Sequence, residues 1–158
     1  MKMSALRRLG RAPFMALGVI TVVALGWRGA QAPDDLPVLR VVKSPSCGCC
    51  TAWVEYMEQQ GFTVEVEHRE EFTALKRANG VTAELQGCHT GFVDGLVVEG
   101  HVPADIVRKL LANRPKDVKG VSAPGMPRGS PGMEGPVKDR YTVFTFDTKG
   151  NKTPYAVR

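Results

Sequence analysis

The chain has 158 residues, enough for one domain with a leader and a tail. Its formal charge is +5, yet five of its 21 Lys and Arg residues (Lys2, Arg7, Arg8, Arg11, Arg28) and none of its 16 Asp and Glu residues lie in positions 1–32. The remainder is formally neutral and carries no basic stripe, which speaks against a nucleic-acid partner.

The leader comes first. Basic residues up to Arg11 precede an apolar run from Phe14 to Trp27, and Ala30-Gln31-Ala32 follows. That is the layout of a secretory signal peptide at 1–32. The run is about 14 residues, short of the roughly 20 that a spanning helix needs. Cleavage near Pro33 would release the chain after export, whereas an uncleaved leader would anchor it to a membrane. All four cysteines follow the leader, so export would place them in an oxidising compartment.

Val38 to Val42 is β-branched and predicts a buried strand. Lys43-Ser44-Pro45-Ser46 is a loop that leads into the cysteines. From Cys50 to Gln60 the pattern is helical, with Trp53, Val54 and Met57 on one face and Gly61 as a stop. Phe62 to Glu67 alternates as a second strand. His68 ends it among acidic residues and reads as a solvated surface group. Glu70 to Ala78 is a second helix, ended by Asn79-Gly80. Thr90–Val93 and Leu96–Glu99 flank Asp94-Gly95, a hairpin turn. Pro103 to Asn113 is a third helix, with proline in its first turn.

The order β-α-β-α-β-β-α is the thioredoxin-like arrangement of an α/β domain, spanning about 38–113. Functional cysteines of that arrangement sit after the first strand, at the mouth of the first helix, and the cluster falls there. Residues 114–137 are rich in Pro and Gly and predict an irregular extension, in which Pro124-Gly125-Met126 is echoed by Pro131-Gly132-Met133. Tyr141–Phe146 and Thr153–Val157 predict a terminal hairpin. The whole of 114–158 is expected to pack on the domain.

Cys47-Gly48-Cys49-Cys50 crowds three thiols into four positions, which is not the spacing of a disulfide framework. Cys47 and Cys50 have the spacing of a disulfide-exchange pair, with Cys49 set between them. Thiolate is favoured at a helix N-terminus, and three thiolates this close repel unless a cation neutralises them. Soft thiolate sets select Cu(I), zinc or iron–sulfur clusters. Cys88-His89 precedes the third strand, in the loop that should face the helix mouth. His101 is either a further ligand or a packing residue at the start of the third helix. Met126 and Met133 are thioether donors in a loop with little apolar company, either ligands or a plug over the domain.

A family resemblance rests on five stretches. They are Lys43-Ser44-Pro45-Ser46-Cys47-Gly48-Cys49-Cys50, Cys88-His89-Thr90, Glu99-Gly100-His101-Val102-Pro103-Ala104, Pro124-Gly125-Met126-Pro127 and Ser130-Pro131-Gly132-Met133-Glu134-Gly135. Together they resemble the CopG-type periplasmic copper-resistance proteins over about residues 38–146. This is not the ribbon-helix-helix repressor of the same name. The resemblance implies a periplasmic role in copper tolerance and a site where cysteine sulfurs bridge more than one copper ion. By position, Cys47, Cys49, Cys50 and Cys88 would be the sulfur ligands and His89 a nitrogen ligand, while His101, Met126 and Met133 match the family motifs. It also implies a shift between Cu(I) and Cu(II). Oxidation of Cys47 and Cys50 would then remove two ligands and supply two electrons. Copper ions and other periplasmic copper-handling proteins are the implied partners. The competing expectations are a thiol–disulfide oxidoreductase of the thioredoxin class and a passive copper chaperone.

Overall fold

The computed structural model describes residues 36–158. The leader at 1–32 lies outside them. Among the described residues, no helix is long and apolar enough to cross a membrane.

Strand β1 (Leu39–Lys43) buries Leu39, Val41 and Val42. Helix α1 (Gly48–Gln59) follows a short turn and buries Trp53, Val54 and Met57, which recur at helical spacing on one face. Strand β2 (Val64–His68) runs parallel to β1 at the sheet edge, so Glu65, Val66 and His68 stay exposed. Helix α2 begins only at Thr73 and ends at Ala78. Glu70 and Glu71 stay outside it, because Phe72 has a non-helical backbone (φ −146°). A 3₁₀ turn (Ala83–Leu85) leads to the hairpin of β3 (His89–Val93) and β4 (Leu96–Gly100). Asp94 (φ 46°) and Gly95 (φ 70°) both turn left-handed, as a two-residue hairpin loop requires. Helix α3 (Ala104–Ala112) has Pro103 as its N-cap, one position before the first turn.

Through α3 the element order is the anticipated β-α-β-α-β-β-α, with the 3₁₀ turn added. The remainder differs from expectation. Within the segment expected to be irregular, Gly120–Ala123 forms β5, fully buried and parallel to β4. Strands β6 (Thr142–Phe146) and β7 (Lys152–Val157) form the terminal hairpin, and β5 pairs with β6. One mixed seven-stranded sheet results, in the order β2-β1-β3-β4-β5-β6-β7. The tail therefore continues the sheet past residue 113 through β5, β6 and β7.

Successive strand residues face opposite ways. Leu96 and Val98 join a core with Trp53, Met57, Ile106 and Leu110, beneath α1 and α3. Val97 joins Val81, Leu85 and Phe146 on the other face. Gly120 is where the added strand meets that second cluster. A Cβ there would stand 2.3 Å from the Phe146 ring and 2.8 Å from the Val97 carbonyl oxygen.

Gly120→Ala is therefore expected to cost about 1–3 kcal/mol by overpacking. Gly48→Ala meets nothing within 4 Å and is expected to leave stability unchanged or slightly raised. Urea unfolding of the two variants checks the contrast; equal midpoints would mean that β5 is not seated as described.

Candidate metal centre

The chain leaves β1 through Ser44–Ser46 and enters α1 at Cys47, which is the helix N-cap. Its Sγ accepts the Cys50 N–H at 3.3 Å. The cysteines thus lie where unpaired N–H groups favour negative sulfur. Cys47 and Cys50 form a disulfide, and Cys49 and Cys88 are free. Cys49 Sγ lies 3.6 Å from Cys47 Sγ and 4.0 Å from Cys88 Sγ. The four sulfurs lie within 4.8 Å of one another. Sulfurs that share one tetrahedral metal at about 2.3 Å stand about 3.8 Å apart, so the spacing suits shared coordination. All four can serve only when the disulfide is reduced.

Cys88 reaches the cluster from the loop before β3. That loop and the end of β4 touch backbone to backbone. A Cβ on Gly87 would sit 2.5 Å from Gly100 Cα, and Gly100 itself is left-handed (φ +69°). The crossing sets Cys88, which follows Gly87, beside His101, which follows Gly100. Cys88 Sγ lies 3.0 Å from His101 Nε2 and 3.5 Å from His89 Nδ1. These three residues form a second donor group that shares Cys88 with the first.

The Pro131 carbonyl oxygen settles the His101 tautomer. It lies 2.8 Å from Nδ1 and can only accept, so Nδ1 carries the proton and Nε2 presents a lone pair to Cys88. One S–H cannot serve both rings. With it directed at His101, His89 donates Nδ1–H to the sulfur, and its buried Nε2 has no partner among the described residues. His89 is wedged against Trp53, ring centres 4.3 Å apart, and meets His101 edge-on at 5.0 Å. Burial pushes the His89 pKa far below the usual imidazole range, with His101 and Lys76 adding to the effect. Burial also lowers that of His101, partly offset by Pro131. Both rings are neutral, the form that ligates metals. Burial, then the neighbouring Cys49 thiol, pushes the Cys88 pKa up to about 12. Soft sulfurs beside neutral imidazoles, one with an orphaned nitrogen, fit a thiophilic cation.

The Pro/Gly segment closes over this cluster and is held by its own bonds. Arg128 pairs with Asp139 side chain to side chain, and Ser130 Oγ donates to the Pro127 carbonyl oxygen. Gly132 is pressed on the first turn of α1, where a Cβ would meet Trp53 N at 2.6 Å and Cys49 O at 2.8 Å. Of the expected site residues, Cys47, Cys49, Cys50, Cys88, His89 and His101 converge. Met126 is 57% exposed and Met133 half-buried on the covering segment. His68 is exposed on β2, as read from its acidic surroundings.

Sequence reasoning missed a buried group behind Cys88. Lys76 on α2 pairs with Glu99 on β4, and both are almost wholly buried. The available signal was a charge in the otherwise apolar run Leu96-Val97-Val98-Glu99.

Residues 85–133 match a family model described as a protein of unknown function, DUF411. No curated protein matches the chain. Two solved structures resemble it, titled copper resistance protein copG, forms 1 and 2. Each is 38% identical over 78% of this chain, with a TM-score of 0.73. The match covers 98% and 99% of their respective chains.

A thiol raised this far holds its proton at pH 8, and thiolate is the nucleophile. In the metal-free protein with its disulfide closed, Cys88 should be labelled by iodoacetamide roughly a hundredfold or more slowly than after unfolding in guanidinium. Peptide mapping by mass spectrometry measures this; equal rates would refute a buried, protonated Cys88.

Proposed function

Because this chain belongs to the CopG copper-resistance proteins, we propose that it binds copper through Cys47, Cys49, Cys50, Cys88 and His89, as cysteine-bridged ions numbering more than one. The carrying observation is the convergence of four sulfurs with two neutral imidazoles around the shared Cys88. His101 is a further donor in this reading. Met126 and Met133 supply thioethers from the covering segment, a soft chemistry suited to Cu(I). We also read β1 to β4 with the three helices as thioredoxin-like. The strand order β2-β1-β3-β4, the parallel β1–β2 pair and the cluster after β1 support this.

The Cys47–Cys50 disulfide supports a redox step, with copper as its substrate. When the two thiols close, they release two electrons and two protons. Two Cu(II) ions take the electrons and become Cu(I), and the protons go to solvent. The reverse step opens the disulfide and oxidises two Cu(I). Copper binding and thiol redox are thereby linked, because the closed disulfide withholds two sulfurs. The leader at 1–32 would direct the chain to the periplasm, where other copper-handling proteins would be its partners.

A thiol–disulfide oxidoreductase is the alternative favoured by the disulfide at a helix mouth. Cys49, 3.6 Å from Cys47 Sγ, weighs against it, since exchange needs two thiols and not a third.

The reduced protein is expected to retain copper over zinc when both are offered at equal concentration. Cys49→Ser should weaken copper binding roughly tenfold or more, since losing a ligand costs at least what losing its support does. His89→Ala should act in the same direction with the fold intact. Metal analysis and chelator competition under anaerobic conditions measure these outcomes. Robust reductase turnover on a protein disulfide that survives Cys49→Ser, with copper binding unchanged, would install the oxidoreductase reading instead.

A further inference from the structure

Lys76 and Glu99 form a closed polar network. The Lys76 ammonium donates to Glu99 Oε1, to Thr90 Oγ1 at 3.0 Å and to the Gly87 carbonyl oxygen at 3.2 Å, which uses all three of its protons. Glu99 Oε1 also accepts the Gly87 N–H at 2.7 Å, and Oε2 accepts the Thr90 hydroxyl at 2.7 Å. Both polar atoms of Gly87 are therefore held by buried charges. Gly87 is the residue that crosses Gly100 and delivers Cys88.

Burying such a pair is costly. A well-packed apolar pair of similar volume is often as stable or more so, which makes stability alone a weak reason for it. An apolar pair would leave the Gly87 N–H and carbonyl unheld beside Cys88. Helix α2, with six residues, is too short to fix Lys76 by itself. Its Phe72 ring lies 4.9 Å from the ammonium and helps to seat it.

We propose that Lys76 and Glu99, closed through Thr90, are positioning residues that clamp Gly87 and thereby set the Cys88 sulfur for copper. The copper part of this inference rests on the function proposed above. Neither charge is placed as a ligand. Lys76 and Glu99 act through the Gly87 peptide, and the sulfur moves if that peptide is released.

The test uses Lys76→Met and the double variant Lys76→Met/Glu99→Leu. The single variant leaves a buried carboxylate unpaired and should lose stability. Removing both charges should recover much of that loss. Two readouts follow: Cu(I) affinity of the reduced protein by chelator competition, and amide exchange of residues 86–90 in the metal-free protein. In the double variant, copper affinity should stay about 10–100-fold below wild type. Exchange at 86–90 should be faster, while β1 amides keep their protection. A double variant with wild-type copper affinity and wild-type exchange at 86–90 overturns the proposal and leaves the pair a structural one. If the wild-type protein takes up no copper, the copper reading fails and the clamp is judged on exchange alone.

Discussion

The second donor group of the candidate metal centre depends on two backbones touching at Gly87 and Gly100. There is no room for a side chain between them, since a Cβ on Gly87 would approach Gly100 Cα to 2.5 Å. Close contact lets donors from separate strands share one small volume. Cys88 comes from one side of the crossing and His101 from the other. Helix α1 brings its cysteines to the same place, because its first turn abuts Gly132 of the covering segment. The large core beneath α1 and α3 then fixes the helix that carries three of the four sulfurs.

The electrostatics follow from that burial. Imidazoles withdrawn from water give up their second proton and stay neutral, and a thiol withdrawn from water keeps its own. A metal ion entering the cluster would meet bare nitrogens but would have to displace a proton from Cys88. Affinity is thus tied to pH at the sulfur and much less at the rings. The Pro131 carbonyl contributes by fixing which nitrogen of His101 is bare.

Much of this was legible in the chain. Asp94-Gly95 announces the hairpin, because few other pairs tolerate two left-handed residues. The apolar spacing of Trp53, Val54 and Met57 gives α1, and the cysteine spacing gives the centre at its mouth. Strand β5 was not legible. Gly120-Val121-Ser122-Ala123 is short and weak in strand propensity, and it is a strand only because β4 and β6 flank it. The late start of the second helix was also hidden, because the Phe72 backbone turns away before Thr73. The Lys76–Glu99 pair was missed for a related reason. Its partners lie 23 residues apart, and no local pattern links a helix lysine to a strand glutamate.

Cys47 and Cys50 are three positions apart in the chain, whereas Cys49 and Cys88 are 39 apart. In an unfolded chain a distant pair costs more entropy to bring together than a near one. Before any sheet exists to bring Cys88 near, a bond within the cluster is therefore favoured over one to Cys88, and the bond that the folded chain holds is Cys47–Cys50. The closed bond leaves Cys49 and Cys88 as the free thiols, and a single two-electron reduction would return all four sulfurs.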